Sequence, residues 1–468
     1  MRRPNILILY TDQQRWDALG VNGNPDIQTP NLDRLAQQGV NFDHYFVQNP
    51  VCMPSRASFL TGQYPSQLGI THMGVPVPED TITLPHLLKP YGYHTANIGK
   101  LHFLPHANRD HRVPHPAYGF DHLEISDEPG VYEDAYRAWV RRQWPDQMDY
   151  LSVGLPPMTD TWYRSMNITD TVKHRVEGPR FDFKGAIPFV GDDHVTHSAF
   201  VAEQTIEFIQ QQSGPFLCIA GFYSPHSPWV VSQRYLDMYD PLTLTVPDYP
   251  PEVDAQRSED HFSDDQLRSA RHGYYAMVTE VDHHIGRILD VLEQQGLADN
   301  TIVVFTSDHG EWLGEHLRYG KSYPGADAVS RVPLIVRWPG GQLMNGRTTN
   351  AIAEGVDVLP TLLDCAGIQV PPHIQGRSLL PILEGAEDSI REAALMEATG
   401  WKNLRTRRYR YLIHDDGREM LWDIENDPGE YHDVAGEAAY ADVLAEHRHL
   451  LLQRLLMMER PLPRIWPY

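Results

Sequence analysis

The chain reads as an α/β protein: a large, mostly parallel sheet sandwiched by helices, with a small C-terminal α+β subdomain. Three observations lead there. Short apolar runs recur and stop abruptly at polar residues, helix-patterned segments lie between them, and the texture changes after about Gly385. Strands alternating with helices imply parallel pairing by crossover, with both sheet faces covered. In such sheets, sites gather at the carboxyl ends of strands.

Residues 5–10 predict the first strand, which runs into Thr11-Asp12-Gln13. Thr29-Pro30 supplies an N-cap and a first-turn proline for a helix over residues 31–38, stopped by Gly39. Pro54 and Ser55 place Cys52 just ahead of a helix over residues 56–60. Residues 94–98 predict a strand leading into Gly99-Lys100-Leu101-His102. Residues 216–222 lead into Ser224-Pro225-His226, and residues 301–305 into Ser307-Asp308-His309. A fifth run covers residues 332–338. Ser263 and Gln266 form a capping box opening a long helix to about Gln295, closed by Gly296. Residues 105–191 are weakly periodic and rich in His, Pro, Tyr and Trp, as lids and binding loops are. Beyond Gly385, residues 403–413 and 419–424 predict paired strands, Asp427-Pro428-Gly429-Glu430 a turn, and residues 439–457 a final helix. The expected division is a catalytic α/β domain over 1–385 and a subdomain over 386–468.

Composition narrows the partners. Of 468 residues, 39 are Lys or Arg and 62 are Asp or Glu, a net charge of −23, which argues against nucleic acid or an anionic membrane surface. An anionic substrate stays possible, because charges beyond about 8–10 Å are largely screened and a local cation cluster still holds an anion. No stretch is long and apolar enough to cross a bilayer. The apolar run after Met1-Arg2-Arg3-Pro4 is too short for a signal peptide, so a cytoplasmic location is expected. The three cysteines, Cys52, Cys218 and Cys365, argue against a disulfide framework. Cys218 and Cys365 sit in apolar surroundings as packing residues. A homo-oligomer is compatible with this composition.

Asp12 and Gln13 follow one strand, Asp308 and His309 another. If those strands are neighbours, two carboxylates, an amide oxygen and an imidazole converge. An oxygen-rich set of this kind suits Ca²⁺, Mg²⁺ or Mn²⁺. A residue at a helix N-terminus meets free N–H groups and the positive end of the helix dipole, an environment that favours an oxyanion at position 52. Arg56 adds a fixed positive charge one turn on.

The segment Cys52-Met53-Pro54-Ser55-Arg56, continuing Ala57-Ser58-Phe59-Leu60-Thr61-Gly62, resembles the type I sulfatase signature C-x-P-S-R-x-x-x-L-T-G at every fixed position. The likeness extends through Pro4-Asn5-Ile6, Thr29-Pro30-Asn31-Leu32-Asp33, Gly99-Lys100-Leu101-His102, Pro225-His226, Thr306-Ser307-Asp308-His309-Gly310 and Asp427-Pro428-Gly429-Glu430. It implies the alkaline phosphatase superfamily fold and hydrolysis of a sulfate monoester on a small molecule or carbohydrate. It further implies that a formylglycine-generating enzyme converts Cys52 to Cα-formylglycine, whose hydrate is the nucleophile. By the same resemblance, Asp12, Gln13, Cys52, Asp308 and His309 hold one divalent ion, Ca²⁺ first and Mn²⁺ or Mg²⁺ next. Lys100, His102, His226 and Lys321 correspond to sulfate-binding and proton-transfer groups, and Arg56 to the residue that steadies the formylglycine. His226 or Lys321 would protonate the departing alcohol, and His102 would take the proton that lets sulfate leave.

Many sulfatases carry Asp where Gln13 stands and Asn where His309 stands. The pair seen here resembles choline sulfatases and phosphonate monoester hydrolases, so a phosphonate monoester or phosphodiester hydrolase is the alternative reading. The Gly99–His102 motif points back to sulfatases. Outside the motifs, His106, His111 and His115 with Arg109 and Arg112 form a candidate contact for an anionic sugar. Trp312, His316 and Tyr319 are candidate pocket-lining residues.

Overall fold

The computed structural model describes residues 3–105, 113–151 and 184–459, without the side chains of 259 and 260. Ten strands precede the C-terminal subdomain: β1 (Asn5–Thr11), β2 (Val40–Phe46), β3 (His94–Gly99), β4 (His122–Ile125), β5 (Ile187–Pro188), β6 (Phe216–Gly221), β7 (Val230–Val231), β8 (Thr301–Ser307), β9 (Leu334–Arg337) and β10 (Arg347–Glu354). Eight of them form one sheet in the order β10-β2-β9-β8-β1-β6-β3-β4, and β5 and β7 pair separately. Within the large sheet, β9 alone runs antiparallel to its neighbours β2 and β8.

The alternation of side chains along each strand explains the layers. Ile6, Ile8 and Tyr10 of β1 join Leu217, Ile219, Ile302 and Val304 in a core on one face. Leu7 and Leu9 join Cys218, Ala220, Val303 and Phe305 in a core on the other. A strand buried on both faces reads as a continuous apolar run, which is why β1, β6 and β8 are legible. After helix α1 (Pro30–Gln37), helix α2 (Cys52–Thr61) adds Ala57, Phe59 and Leu60 to the first core. The second takes Val281, Ile285 and Ile288 from the 31-residue helix Asp264–Gln294. That helix opens with the expected capping box of Ser263 and Gln266.

Four of the five expected strands recur almost at their predicted bounds, and the fifth shortens to β9. β2, β4 and β10 escape the sequence reading because each mixes polar or exposed residues into its run: β2 carries Asp43 and His44, and β10 opens Arg347-Thr348-Thr349-Asn350. Helix α2 starts at Cys52 rather than at Arg56, so residue 52 lies in the first turn, with Val51 as N-cap.

The C-terminal sheet is β11 (Ala394–Ala398), β12 (Trp401–Arg405), β13 (Tyr409–His414) and β14 (Glu419–Asp423), antiparallel in that order. The single strand expected over 403–413 is therefore two, turned where Thr406 N donates to Tyr409 O. The closing helix Ala441–Met458 packs Leu444 and Leu451 onto this sheet, in a core that also includes Tyr64 and Val356. Among the described residues no helix is long and apolar enough to cross a membrane.

Candidate active site

Strand register assembles the site. β1 and β8 are parallel neighbours with Thr11 opposite Ser307, so Asp12 and Asp308 leave the sheet side by side. On the other side of β1, Tyr10 pairs with Gly221 of β6, and Gly221 pairs with Gly99 of β3. Lys100 and the Tyr223–His226 turn therefore emerge at the same level as the two aspartates. Gly99 has to be glycine: its φ is +88°, and a Cβ there would sit 2.1 Å from the carbonyl oxygen of Gly221.

Helix α2 brings Cys52 to this edge. Its Sγ lies 3.1 Å from His309 Nε2 and 3.9 Å from Asp12 Oδ1. His309 Nε2 is 3.4 Å from Asp12 Oδ1 and 3.6 Å from Asp308 Oδ1. Ligand atoms of Asp12, Cys52, Asp308 and His309 all fall within 4.8 Å of one another, and all four residues are buried. Ligands bonded at about 2.1–2.5 Å to one ion stand roughly 3.0–3.5 Å apart when adjacent, so the donor set fits a single divalent cation. His309 donates from Nδ1 to Gly310 O at 2.8 Å, which turns the Nε2 lone pair toward the cluster. Burial holds the imidazole down at about 4, so it is neutral near pH 7. Burial would push the Asp12 carboxyl up, but Lys100, His226, Lys321 and His309 outweigh it and hold it well below the usual carboxylate range. Gln13 joins through its backbone N–H, 3.0 Å from Asp308 Oδ1.

Cations surround these acids. Lys100 Nζ is 2.7 Å from Asp12 Oδ2 and lies over the Tyr223 ring. Lys321 Nζ is 2.6 Å from Cys52 Sγ, 3.1 Å from His309 Nε2 and 3.3 Å from His226 Nε2. His226 donates from Nδ1 to Ser227 O at 2.6 Å, leaving Nε2 to accept from Lys321. Burial and the neighbouring Lys321 charge hold His226 well below the ordinary histidine value. His102, 2 % exposed, stands two residues beyond Lys100 with a left-handed backbone (φ 56°) and its N–H on Asp127 Oδ1 at 2.8 Å. Three permanent cations, Lys100, Lys321 and Arg56, thus face two carboxylates, and a bound divalent ion makes the pocket strongly cationic in a chain of net charge −23.

Arg56 sits under the cluster, held by the acids and a strand end. Its Nε binds Asp308 Oδ2 at 2.7 Å, its Nη1 donates to Lys100 O at 3.0 Å, and it lies over the Tyr10 ring. His316 gives its Nε2–H to Gly429 O at 2.7 Å and stacks on Tyr431, so it fastens the loop to the C-terminal subdomain instead of lining the pocket. Trp312 packs among Ala326, Ala328 and Val329, and Tyr319 stacks on Phe262. His115 donates to Pro116 O, while His106, Arg109, His111 and Arg112 lie outside the described residues. Sequence reasoning missed Tyr223, whose hydroxyl contacts His226 Nδ1 at 3.0 Å, and Glu311, which takes the Gln13 amide. Glu311 directly follows Asp308-His309-Gly310, a signal that was present; Asp127, which holds the His102 N–H, carries none.

The sulfatase family model matches residues 4–368, and a second, described as N-sulphoglucosamine sulphohydrolase, C-terminal, matches residues 314–456. An ulvan-active sulfatase of Formosa agariphila is 30% identical over 458 residues, covering 94% of this chain and 78% of its own. An N-acetylglucosamine-6-O-sulfatase of Bacteroides thetaiotaomicron is 30% identical, with 96% and 86% covered. The solved phosphonate monoester hydrolase of Agrobacterium radiobacter superposes with a TM-score of 0.81 at 26% identity, over 98% of this chain and 96% of that one. With a family model spanning most of its length and these acids, lysines and cysteine gathered at one sheet edge, the chain belongs to the sulfatase family, within the alkaline phosphatase superfamily.

Proposed function

We propose that this sulfatase hydrolyses sulfate monoesters of carbohydrates at the edge of β3, β6, β1 and β8, using formylglycine made from Cys52. The observation that carries the reading is the position of Lys321 Nζ, 2.6 Å from the side-chain atom of residue 52 and within reach of both His226 and His309. The carbohydrate class is taken from the relatives named for ulvan and N-acetylglucosamine sulfates. In the absence of the ion, burial pushes the Cys52 thiol up to about 12, against the lowering charges of Lys321 and Lys100.

When present, the divalent ion and the formylglycine supply an acidified geminal diol as nucleophile near neutral pH. Asp12, Asp308, His309 and the Gln13 amide oxygen would hold the ion, with Ca²⁺ the first choice for so oxygen-rich a set. Lys100 and Lys321 offset charge on the sulfate oxygens. Lys321 carries the proton at Nζ that the departing alcohol needs, and His226 Nε2, 3.3 Å away, holds that ammonium in line. His102 takes the proton from residue 52 that precedes sulfate release. Each general acid–base contribution of this kind is worth roughly 10²–10⁴-fold. Maturation by a formylglycine-generating enzyme and a cytoplasmic location complete the reading, consistent with free Cys52, Cys218 and Cys365; a homo-oligomer is compatible with it.

The test compares turnover of an aryl sulfate, an aryl phosphonate monoester and a panel of sulfated sugars by the matured protein. Sulfate turnover dominating, with at least one sugar sulfate preferred over the aryl ester, supports the proposal. Dominant phosphonate turnover favours the second reading, which the Gln13–His309 pair and the 0.81 TM-score to a phosphonate monoester hydrolase motivate.

A further inference from the structure

We propose that Glu311 is a positioning residue that decides which atom Gln13 offers to the divalent ion, and that it couples this ligand to the Lys321 loop. A primary amide presents an oxygen and an NH₂ group of nearly the same shape. The oxygen ligates a hard cation; the NH₂ group repels it. An Asp at this position needs no such discrimination, because both of its oxygens are donors. A site built with Gln therefore needs a partner that takes the NH₂ group.

Glu311 is that partner. Gln13 Nε2 donates to Glu311 Oε2, and both residues are buried. The Gln13 backbone is clamped as well: its φ is 69°, its N–H donates to Asp308 Oδ1 at 3.0 Å, and its carbonyl accepts from the Tyr274 hydroxyl at 2.7 Å. With backbone and NH₂ group both committed, the amide oxygen is the donor left for a cation. The second carboxylate oxygen reaches the other side of the site. Glu311 Oε1 accepts from Leu313 N at 3.1 Å and from Gly320 N, and Gly320 O accepts from Trp312 N at 2.8 Å. Gly320 immediately precedes Lys321. One buried carboxylate thus spans the ligand on β1 and the loop that carries the ammonium beside residue 52.

The inference rests on the reading of Asp12, Gln13, Asp308 and His309 as an ion site, and isosteric exchanges separate the two claims. Ca²⁺ alone, then Mn²⁺ alone, is titrated calorimetrically into the full matured chain after chelator stripping. Glu311→Gln leaves an amide facing an amide, and Gln13→Glu leaves two carboxylates facing each other. Glu311→Gln is expected to lose about 10–100-fold in ion affinity, the usual size of an outer-partner effect, and Gln13→Glu, whose new carboxylate faces Glu311, to lose affinity as well. The double variant Gln13→Glu/Glu311→Gln again pairs one carboxylate with one amide and is expected to recover to within about threefold of the parent, a rescue that general loosening of the fold does not produce. Asp308→Asn serves as the control. If it binds the ion as tightly as the parent, the ion-site reading itself fails. If it loses binding while Glu311→Gln keeps parental affinity, or if the double variant falls to the combined loss of the two singles, the Glu311 inference is overturned. Should Glu311→Gln fold poorly, Gln13→Glu against the double variant decides by the same rescue.

Discussion

Lys321 Nζ touches Cys52 Sγ at 2.6 Å, although 269 residues separate them in the chain. The two arrive from opposite sides, Cys52 on the first turn of α2 and Lys321 on the loop after β8. An ammonium this close to the reacting atom binds the anion that approaches it and holds a proton where a leaving oxygen departs. Lys321→Ala is therefore expected to lower kcat by about 10²–10³-fold, the size seen when one donor to a developing oxyanion is removed. Bound ion, measured by elemental analysis, should stay near the parental level. Ion loss in proportion to the rate would make Lys321 a structural residue.

Chemistry at position 52 is a second expectation. The proposed mechanism needs a second hydroxyl on residue 52 to expel sulfate, which a thiol lacks, so activity requires conversion to formylglycine, a change that lowers the intact mass by about 18 Da for the free aldehyde. Protein produced with a formylglycine-generating enzyme should show that mass and turn over substrate. Protein produced without it, and Cys52→Ala, should retain the parental circular dichroism and lose turnover. Normal rates from unconverted thiol would end the covalent reading.

Arg56 gives a stability prediction. Its guanidinium, 1 % exposed, pairs with Asp308, approaches Asp12 at 3.7 Å and bonds the Lys100 carbonyl. Arg56→Ala leaves two buried carboxylates without their shared cation, a change that typically costs about 3–5 kcal/mol. The unfolding free energy of the ion-free protein, from denaturant titration, should fall by that amount, with a matching drop in midpoint. Added Ca²⁺ should narrow the gap, because the ion replaces part of the missing charge. Equal midpoints for variant and parent would show that the pair contributes nothing.

Much of this arrangement was legible in the sequence, for a physical reason. β1, β6 and β8 are covered on both faces, so their apolar runs stand out, and β3, the least apolar, ends as they do where the chain meets the pocket. Asp12, Lys100, His226 and Asp308 follow those ends directly, and a short motif marks Cys52. What stayed hidden depends on long-range pairing. β2 and β10 lie at one end of the sheet, largely buried, and carry polar residues that blur their period. The turn that splits β12 from β13 at Thr406 falls in the run Arg405-Thr406-Arg407-Arg408, which carries no Gly, Pro, Asn or Asp to mark it. Local spacing places Arg56 one turn from residue 52, but its ion pair with Asp308 joins segments 252 residues apart and leaves no trace in the sequence. Glu311 and Tyr223 act by holding Gln13 and His226, and a residue that works through another leaves no pattern of its own.

Glu280 offers a pH test at a carboxyl that is not one of the ion-site residues. It is 2 % exposed on the helix Asp264–Gln294 and lines a small cavity with His197, Ser198 and Ser224. Burial pushes its carboxyl up to about 7; Asp193 adds to the rise, and Thr196 and Arg234 oppose it. A folded value above the unfolded one means that the folded state binds the extra proton between the two. Stability from this group is then fully present below the unfolded value near 4.5 and is lost as pH rises through about 7. The whole shift corresponds to about 3 kcal/mol at most. Glu280→Gln keeps the shape and removes the titration. It should leave the unfolding free energy nearly unchanged at pH 5 and raise it by about 1–3 kcal/mol at pH 8. Thermal or urea unfolding at the two pH values measures the difference. A variant that destabilises equally at both would show that the ionised carboxylate is held by partners strong enough to offset its burial, and the sign of the argument would be wrong.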